Sequence, residues 1–316
     1  MNYLKRLIVV MGILIFLTKC NAQNKDIDNN REAKPKREMN IPQLPENLIT
    51  FKNQAYKSVN GKRLLLDVYK NKVVANPPLL VWIHGGAWKR GSKEAFITKN
   101  NNLVNAVLNK GYALASINYR LSGEAIFPAQ IQDCNDAINF LYEHADTYGF
   151  NKDAIALMGR SAGGHLAALV ATSNTSGRGD FMGDRDKILF KVKALVDFFG
   201  PSDLINFKAY GTDKGTGTPE ADLLGGSPLE KERLARAASP IYYVNAQSPP
   251  TILFHGTADR NVPSKQSELF KSELDKHNII SELYLVDGAR HGDPIFDTEV
   301  YVTKTMQFLQ KHFPVK

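Results

Sequence analysis

The 316-residue sequence predicts an α/β fold: a mostly parallel central sheet with helices on both faces and one small inserted cap-like segment. Two observations carry this expectation. Downstream of residue 78, apolar runs short enough to be buried strands alternate with longer helix-compatible runs, a pattern that builds a parallel sheet covered on both sides. In addition, a glycine-flanked turn at residues 159–163 joins a strand-like run to a helix-like one, and open α/β sheets place their ligands at such strand ends.

The elements follow in order. Residues 51–59 and 63–69 form an opening hairpin, because Asn60-Gly61 between them tolerates the positive φ of a type I′ turn. Strand 79–83 precedes a helix near 95–109, strand 113–118 a helix over 128–144, and strand 154–158 a helix beginning at Ser161. Further strands are predicted at 194–199, 250–254 and 281–286. Residues 202–245 interrupt the alternation with a Gly- and Thr-rich stretch at 211–217 and two helix-compatible stretches, 219–224 and 228–237. An insertion at this point is expected to hang beside the strand ends as a lid or substrate wall. Residues 48–316 suit a single domain of this class.

The chemistry concentrates in four loops. Gly159-Arg160-Ser161-Ala162-Gly163 has the form of a nucleophile elbow, a sharp strand-to-helix turn whose glycines are needed because a Cβ would collide with neighbouring backbone. A serine hydroxyl is a poor nucleophile at neutral pH and requires an imidazole to take its proton. A carboxylate must then hold that imidazole in the correct tautomer. Asp259, in the turn after strand 250–254, is the candidate acid, chosen over Asp287, Asp293 and Asp297. His291, in the loop after strand 281–286, is the candidate base. Upstream, strand 79–83 runs into His84-Gly85-Gly86-Ala87-Trp88, where the N–H groups of Gly86 and Ala87 join that of Ala162 as a candidate oxyanion hole. His84, His165 and His255 are expected to serve structure. No pair of histidines has metal-ligand spacing with a carboxylate, so neither a metal nor a cofactor is expected.

Together these motifs resemble the α/β-hydrolase superfamily, and within it the small esterases of the BD-FAE and hormone-sensitive-lipase-like type. The matching stretches are residues 84–88, 118–121, 127–130, 159–167, 238–240 and 255–263, in the expected order, and the resemblance spans roughly residues 50–312. It implies carboxylic-ester hydrolysis through an acyl-serine, often of acyl groups on plant polysaccharides, without a cofactor. Ala87 departs from the pattern, standing where lipase relatives commonly carry a third glycine. Two other readings compete: an amide hydrolase of the formamidase type, and a non-catalytic binding module on the same fold. The expected partner is a small-molecule or oligosaccharide ester.

The N-terminus carries a separate message. Lys5 and Arg6 precede an apolar run at residues 7–17, too short for the roughly 20 residues that span a bilayer, and residues 1–22 read as an export signal. Cleavage after Ala22 and a lipoprotein-type cut before Cys20 both fit; only the second gives a membrane contact, through a lipid anchor on Cys20. Residues 23–47, polar and Pro-containing, read as a tether. With Cys20 and Cys134 the sole cysteines, processing leaves no internal disulfide, and Cys134 is expected to be a small core residue. The formal charge of +8 is spread along the chain without a basic stripe interleaved with aromatics, which argues against nucleic acid as a partner.

Overall fold

The computed structural model describes residues 44–206 and 217–315. The expected signal, the Cys20 position, most of the expected tether and residues 211–216 of the glycine-rich stretch lie outside these residues.

The hairpin forms from β1 (Leu48–Val59) and β2 (Lys62–Asn71), and its turn takes the positive φ values expected of Asn60 (49°) and Gly61 (79°). Next come β3 (Pro78–Ile83), β4 (Ala113–Ile117), β5 (Asn151–Arg160), β6 (Val192–Phe198), β7 (Thr251–Gly256) and β8 (Ser281–Val286). They form one sheet in the order β1-β2-β4-β3-β5-β6-β7-β8. Only the hairpin end is antiparallel; every pairing from β4 through β8 is parallel.

Strand alternation divides the core in two. Leu79, Val81, Ile83, Ile155 and Leu157 point to one face, against α3 (Ala129–Glu143) and α5 (Ala162–Ser173). Leu80, Trp82, Ala156 and Met158 point to the other, against α2 (Asn101–Asn109) and α9 (Glu299–His312). Because both faces are covered, β3 and the inner part of β5, Ile155 to Met158, are apolar at every position. Each fully buried Leu, Ile or Phe contributes about 1.5–3 kcal/mol, so this double core holds the strand ends in fixed relative positions. Cys134 lies in the first core, fully buried.

Two helical expectations need correction. The helix near 95–109 is broken into α1 (Ala95–Lys99) and α2, because Asn100 leaves helical geometry (φ −136°, ψ 55°) and turns its side-chain amide back to the Phe96 carbonyl. In the insertion, α6 (Pro219–Leu224) matches the expected stretch, but the second helix, α7, covers only Glu232–Ala237. Its start is delayed because Lys231 leaves helical geometry (φ −110°, ψ 35°), so the turn closed by the reciprocal Ser227–Glu230 bonds does not run on into the helix.

Candidate active site

Ser161 stands between the last residue of β5 and the first of α5 with φ 54° and ψ −123°, a strained conformation for a residue with a side chain. Close packing enforces the turn. A Cβ on Gly159 would lie 2.3 Å from the Gly163 carbonyl oxygen, and one on Gly163 would lie 2.0 Å from that of Ile83. The elbow is anchored by the Ser161 N–H, which donates to the Phe198 carbonyl at 2.8 Å.

The loop after β3 lies beside it. Gly86 has φ 125°, and a Cβ there would approach the Arg90 carbonyl oxygen to 2.1 Å, so only glycine fits. Ala87 follows in the left-handed region at φ 57°. Among the described residues the N–H groups of Gly86, Ala87 and Ala162 have no acceptor, which leaves three donors available at the elbow. His84 holds the base of this loop: its ring stacks on Tyr119 at 4.2 Å, and the Tyr119 hydroxyl donates to the His84 carbonyl at 2.9 Å. Burial pushes the His84 imidazole down to about 4, so it is a neutral structural group.

Asp259 and His291 arrive from the ends of β7 and β8. His291 Nε2 lies 2.8 Å from Ser161 Oγ, and His291 Nδ1 lies 2.7 Å from Asp259 Oδ2. The other oxygen of Asp259 accepts the N–H groups of Asn261 and Val262, both at 2.9 Å. Burial alone would raise the Asp259 pKa. The hydrogen bonds from His255 and His291, with that of the Val262 N–H, outweigh it and hold the carboxyl well below the usual range, ionised. With Oδ2 an acceptor, Nδ1 of His291 carries the proton and Nε2 faces the serine as an acceptor. The edge of Phe199 packs on the His291 ring, centroids 4.8 Å apart.

The competing carboxylates are engaged elsewhere. Asp287 accepts from the Thr257 hydroxyl, Asp293 caps the 3₁₀ turn Pro294–Asp297, and Asp297 accepts the N–H groups of Asn102 and Leu103. His255 braces the acid turn: its ring nitrogens meet Ser267 Oγ at 2.6 Å and the Val262 carbonyl at 2.8 Å.

With this geometry in view, comparison with known proteins is decisive: the BD-FAE family model matches residues 66–274. The chain belongs to the BD-FAE family. The match runs from β2 into α8 (Lys265–Lys276) and includes Ser161 and Asp259; His291 lies beyond it. Among sequence relatives, the esterase LipQ of Mycobacterium tuberculosis is 32% identical over 218 residues, 68% of this chain and 50% of that protein. The chain spans about half the length of the relatives it matches in this way. Among solved structures, a truncated form of a carbohydrate esterase from gut microbiota superposes with a TM-score of 0.76 at 29% identity, covering 85% of this chain and 98% of that one. The bifunctional GH43-CE protein of Bacteroides eggerthii gives 0.75 at 32% identity, over 83% and 38% of the two chains. The sheet and its neighbours make this the α/β-hydrolase fold.

Three features of this BD-FAE domain were not evident from the sequence. His165, one turn along α5, is fully buried between the two loops: Trp88 Nε1–H donates to its Nδ1 at 3.1 Å, and its Nε2–H donates to the Ala238 carbonyl at 2.6 Å. Since indole can only donate, the ring must be neutral, and burial pushes its pKa from 6.5 to about 4. The insertion is likewise tied to the segment that follows the Gly86–Ala87 loop through a Lys89–Asp222 ion pair, and to the segment just before α3 through a bond from the Phe127 N–H to the Leu223 carbonyl. Finally, Arg160 stacks over Phe198 at 4.9 Å beside the elbow, and its Nε and Nη2 have no acceptor among the described residues.

His165 gives a pH-dependent expectation. The unfolded imidazole protonates near 6.5 while the folded one resists to about 4, so this stabilisation is fully present above pH 6.5 and is lost as pH falls toward 4. The loss amounts to about 3 kcal/mol. His165→Gln can keep both hydrogen bonds without titrating, and its melting temperature should fall less steeply than wild type between pH 6.5 and 4. Parallel curves would show that His165 is not the responsible group.

Proposed function

We propose that this protein is an exported serine carboxylic-ester hydrolase that removes short acyl groups, acetyl or feruloyl, from polysaccharides or their oligosaccharides. The observation that carries the reading is the unbroken hydrogen-bonded chain from Ser161 through His291 to Asp259. In this reading His291 Nε2 takes the Ser161 proton as Oγ attacks the ester carbonyl, and Asp259 stabilises the imidazolium. The N–H groups of Gly86, Ala87 and Ala162 receive the oxyanion, where each donor is worth about 3 kcal/mol of barrier. The imidazolium then protonates the leaving alcohol, the acyl group remains on Oγ, and water activated by His291 releases it.

Family membership, the esterase relative and the two carbohydrate-esterase neighbours support this reaction and substrate class. Export rests on Lys5 and Arg6 ahead of the apolar run at residues 7–17, with Cys20 placed for a lipid anchor under one of the two cleavage readings. The insertion is fastened beside the Gly86–Ala87 loop and carries no long apolar lid among its described residues.

A fluorophosphonate probe is expected to label Ser161 and no other serine, as mass spectrometry of the tryptic peptide would show. Across p-nitrophenyl acetate, butyrate, octanoate and palmitate, kcat/KM should be highest for the short esters and fall by palmitate, with acetate also released from acetylated xylan. Acyl discrimination amounts to about 1–3 kcal/mol per methylene at a pocket wall. An optimum at octanoate or longer without acetate release would redirect the assignment to lipid esters.

A further inference from the structure

A second concave region lies away from the candidate active site, between the segment that follows α5 and the end of the insertion. It is a cleft of about 510 Å³ whose lining includes Arg178, Asp180, Arg233, Arg236, Tyr242 and Tyr243, and none of the residues assigned to catalysis. Its charge is unbalanced. Arg178 pairs with Asp180 in a two-bond fork, Nε–Oδ1 at 2.8 Å and Nη2–Oδ2, which occupies one edge of its guanidinium, while neither Arg233 nor Arg236 has an ion pair among the described residues. One of the three guanidinium groups is therefore neutralised and two are not.

Two of them are held by aromatic rings. Arg236 stacks on Tyr242 at 4.3 Å, and Arg178 lies 4.9 Å from the ring centre of Phe181 and 5.8 Å from that of Tyr243. Tyr243 is fixed in turn by donating its hydroxyl to the Ala237 carbonyl at 2.9 Å. Stacking occupies the face of a guanidinium and restricts its rotamers but leaves the N–H donors along its edge directed outward, where a carboxylate can accept two in parallel. An arginine held in this way has lost much of its freedom before a ligand arrives, which lowers the cost of binding. Leu234 and Ala237 add apolar lining, suited to the C–H faces of a sugar ring.

We propose that this cleft is a second binding site, separate from Ser161, for an oligosaccharide or polysaccharide segment that bears carboxylates. The choice of a saccharide over other anions rests on the polysaccharide-ester reading above; the carboxylate recognition rests on the arginines. Such a site would keep the enzyme on an acidic polymer while esters elsewhere on the same chain reach the elbow. The cleft and the elbow are linked through α7: beyond Ala237, the Ala238 carbonyl is the acceptor of the His165 ring on α5.

Binding can be read without catalysis. Calorimetric titration of the full chain carrying Ser161→Ala, at low salt, would compare a galacturonate hexamer, the neutral hexamer of xylose and sodium sulfate. The acidic hexamer should bind at least about tenfold more tightly than the neutral one, and Arg233→Ala/Arg236→Ala should remove at least about tenfold of that affinity. In the Ser161 background the same double exchange should leave p-nitrophenyl acetate hydrolysis unchanged. Arg236→Lys, which keeps the charge but not the fork, should recover only part of the binding. Lys276→Ala/Lys311→Ala, remote and equal in charge removed, should leave affinity intact. Equal binding of the two hexamers, sulfate binding as tight as the acidic hexamer, retention by the arginine variant or equal loss in the lysine control would each overturn the proposal. Both arginines are exposed, so folding should survive; if Arg236→Ala melts early, Arg236→Gln replaces it. A protein inactive on every ester but binding the acidic hexamer through the arginines would refute the hydrolase reading and leave the cleft assignment standing.

Discussion

Ser161→Ala is expected to lower kcat for p-nitrophenyl acetate by on the order of 10⁵–10⁶ while leaving the melting temperature within a few degrees of wild type. The exchange removes one oxygen from a half-exposed turn and adds no volume. Alanine accepts the φ of 54° no less readily than serine, and the anchoring bond from residue 161 to the Phe198 carbonyl uses the backbone alone. What disappears is the oxygen that carries the acyl group in the proposed reaction. Stopped-flow or endpoint assays at high enzyme concentration would measure the residue of activity. Turnover within tenfold of wild type, with the fold intact, would refute the assignment of Ser161 as nucleophile.

His291→Ala should be about as damaging as the serine exchange, and Asp259→Asn severe but less so, because members of such a unit fail together while loss of the orienting acid leaves a base in place. Asp259→Asn also has a structural reading. The carboxylate collects the His291 ring and two backbone N–H groups, and an amide can accept from only part of that set. Its own N–H₂ would face either a backbone donor or the imidazole, favouring the wrong tautomer of His291. Measured kcat values for the two variants beside Asp287→Asn and Asp293→Asn test the choice of acid. A silent Asp259→Asn with a severe loss in either of the others would move the role to that residue, against the contacts that now occupy Asp287 and Asp293.

Local signals were legible where local sterics dictate the structure. The Asn60-Gly61 turn, the apolar strands and residues 281–286 need only the allowed conformations of a few residues and the side on which apolar groups must lie. The break at Asn100 was not legible, since the surrounding composition suits a continuous helix and the interruption depends on where one asparagine side chain turns. The late start of α7 was hidden for a similar reason: Ser227 and Glu230 form a helix entry, but Lys231 leaves helical geometry right after it.

By itself the sequence determined the α/β class, the elbow and the residue types available at the strand ends, because glycine spacing and strand burial act over a handful of neighbouring residues. Only the tertiary structure decided which of those residues meet. His291 lies 130 residues from Ser161 and 32 from Asp259, and their contacts exist because β5, β7 and β8 end at the same edge of one parallel sheet. The neutral state of His165 and the arginine cleft have the same origin. Trp88, His165 and Ala238 are far apart along the chain, as Arg178 is from Arg236 and Tyr242, and no local rule couples them. Their charge and hydrogen-bonding states follow from burial and from the particular partners that packing brings within reach.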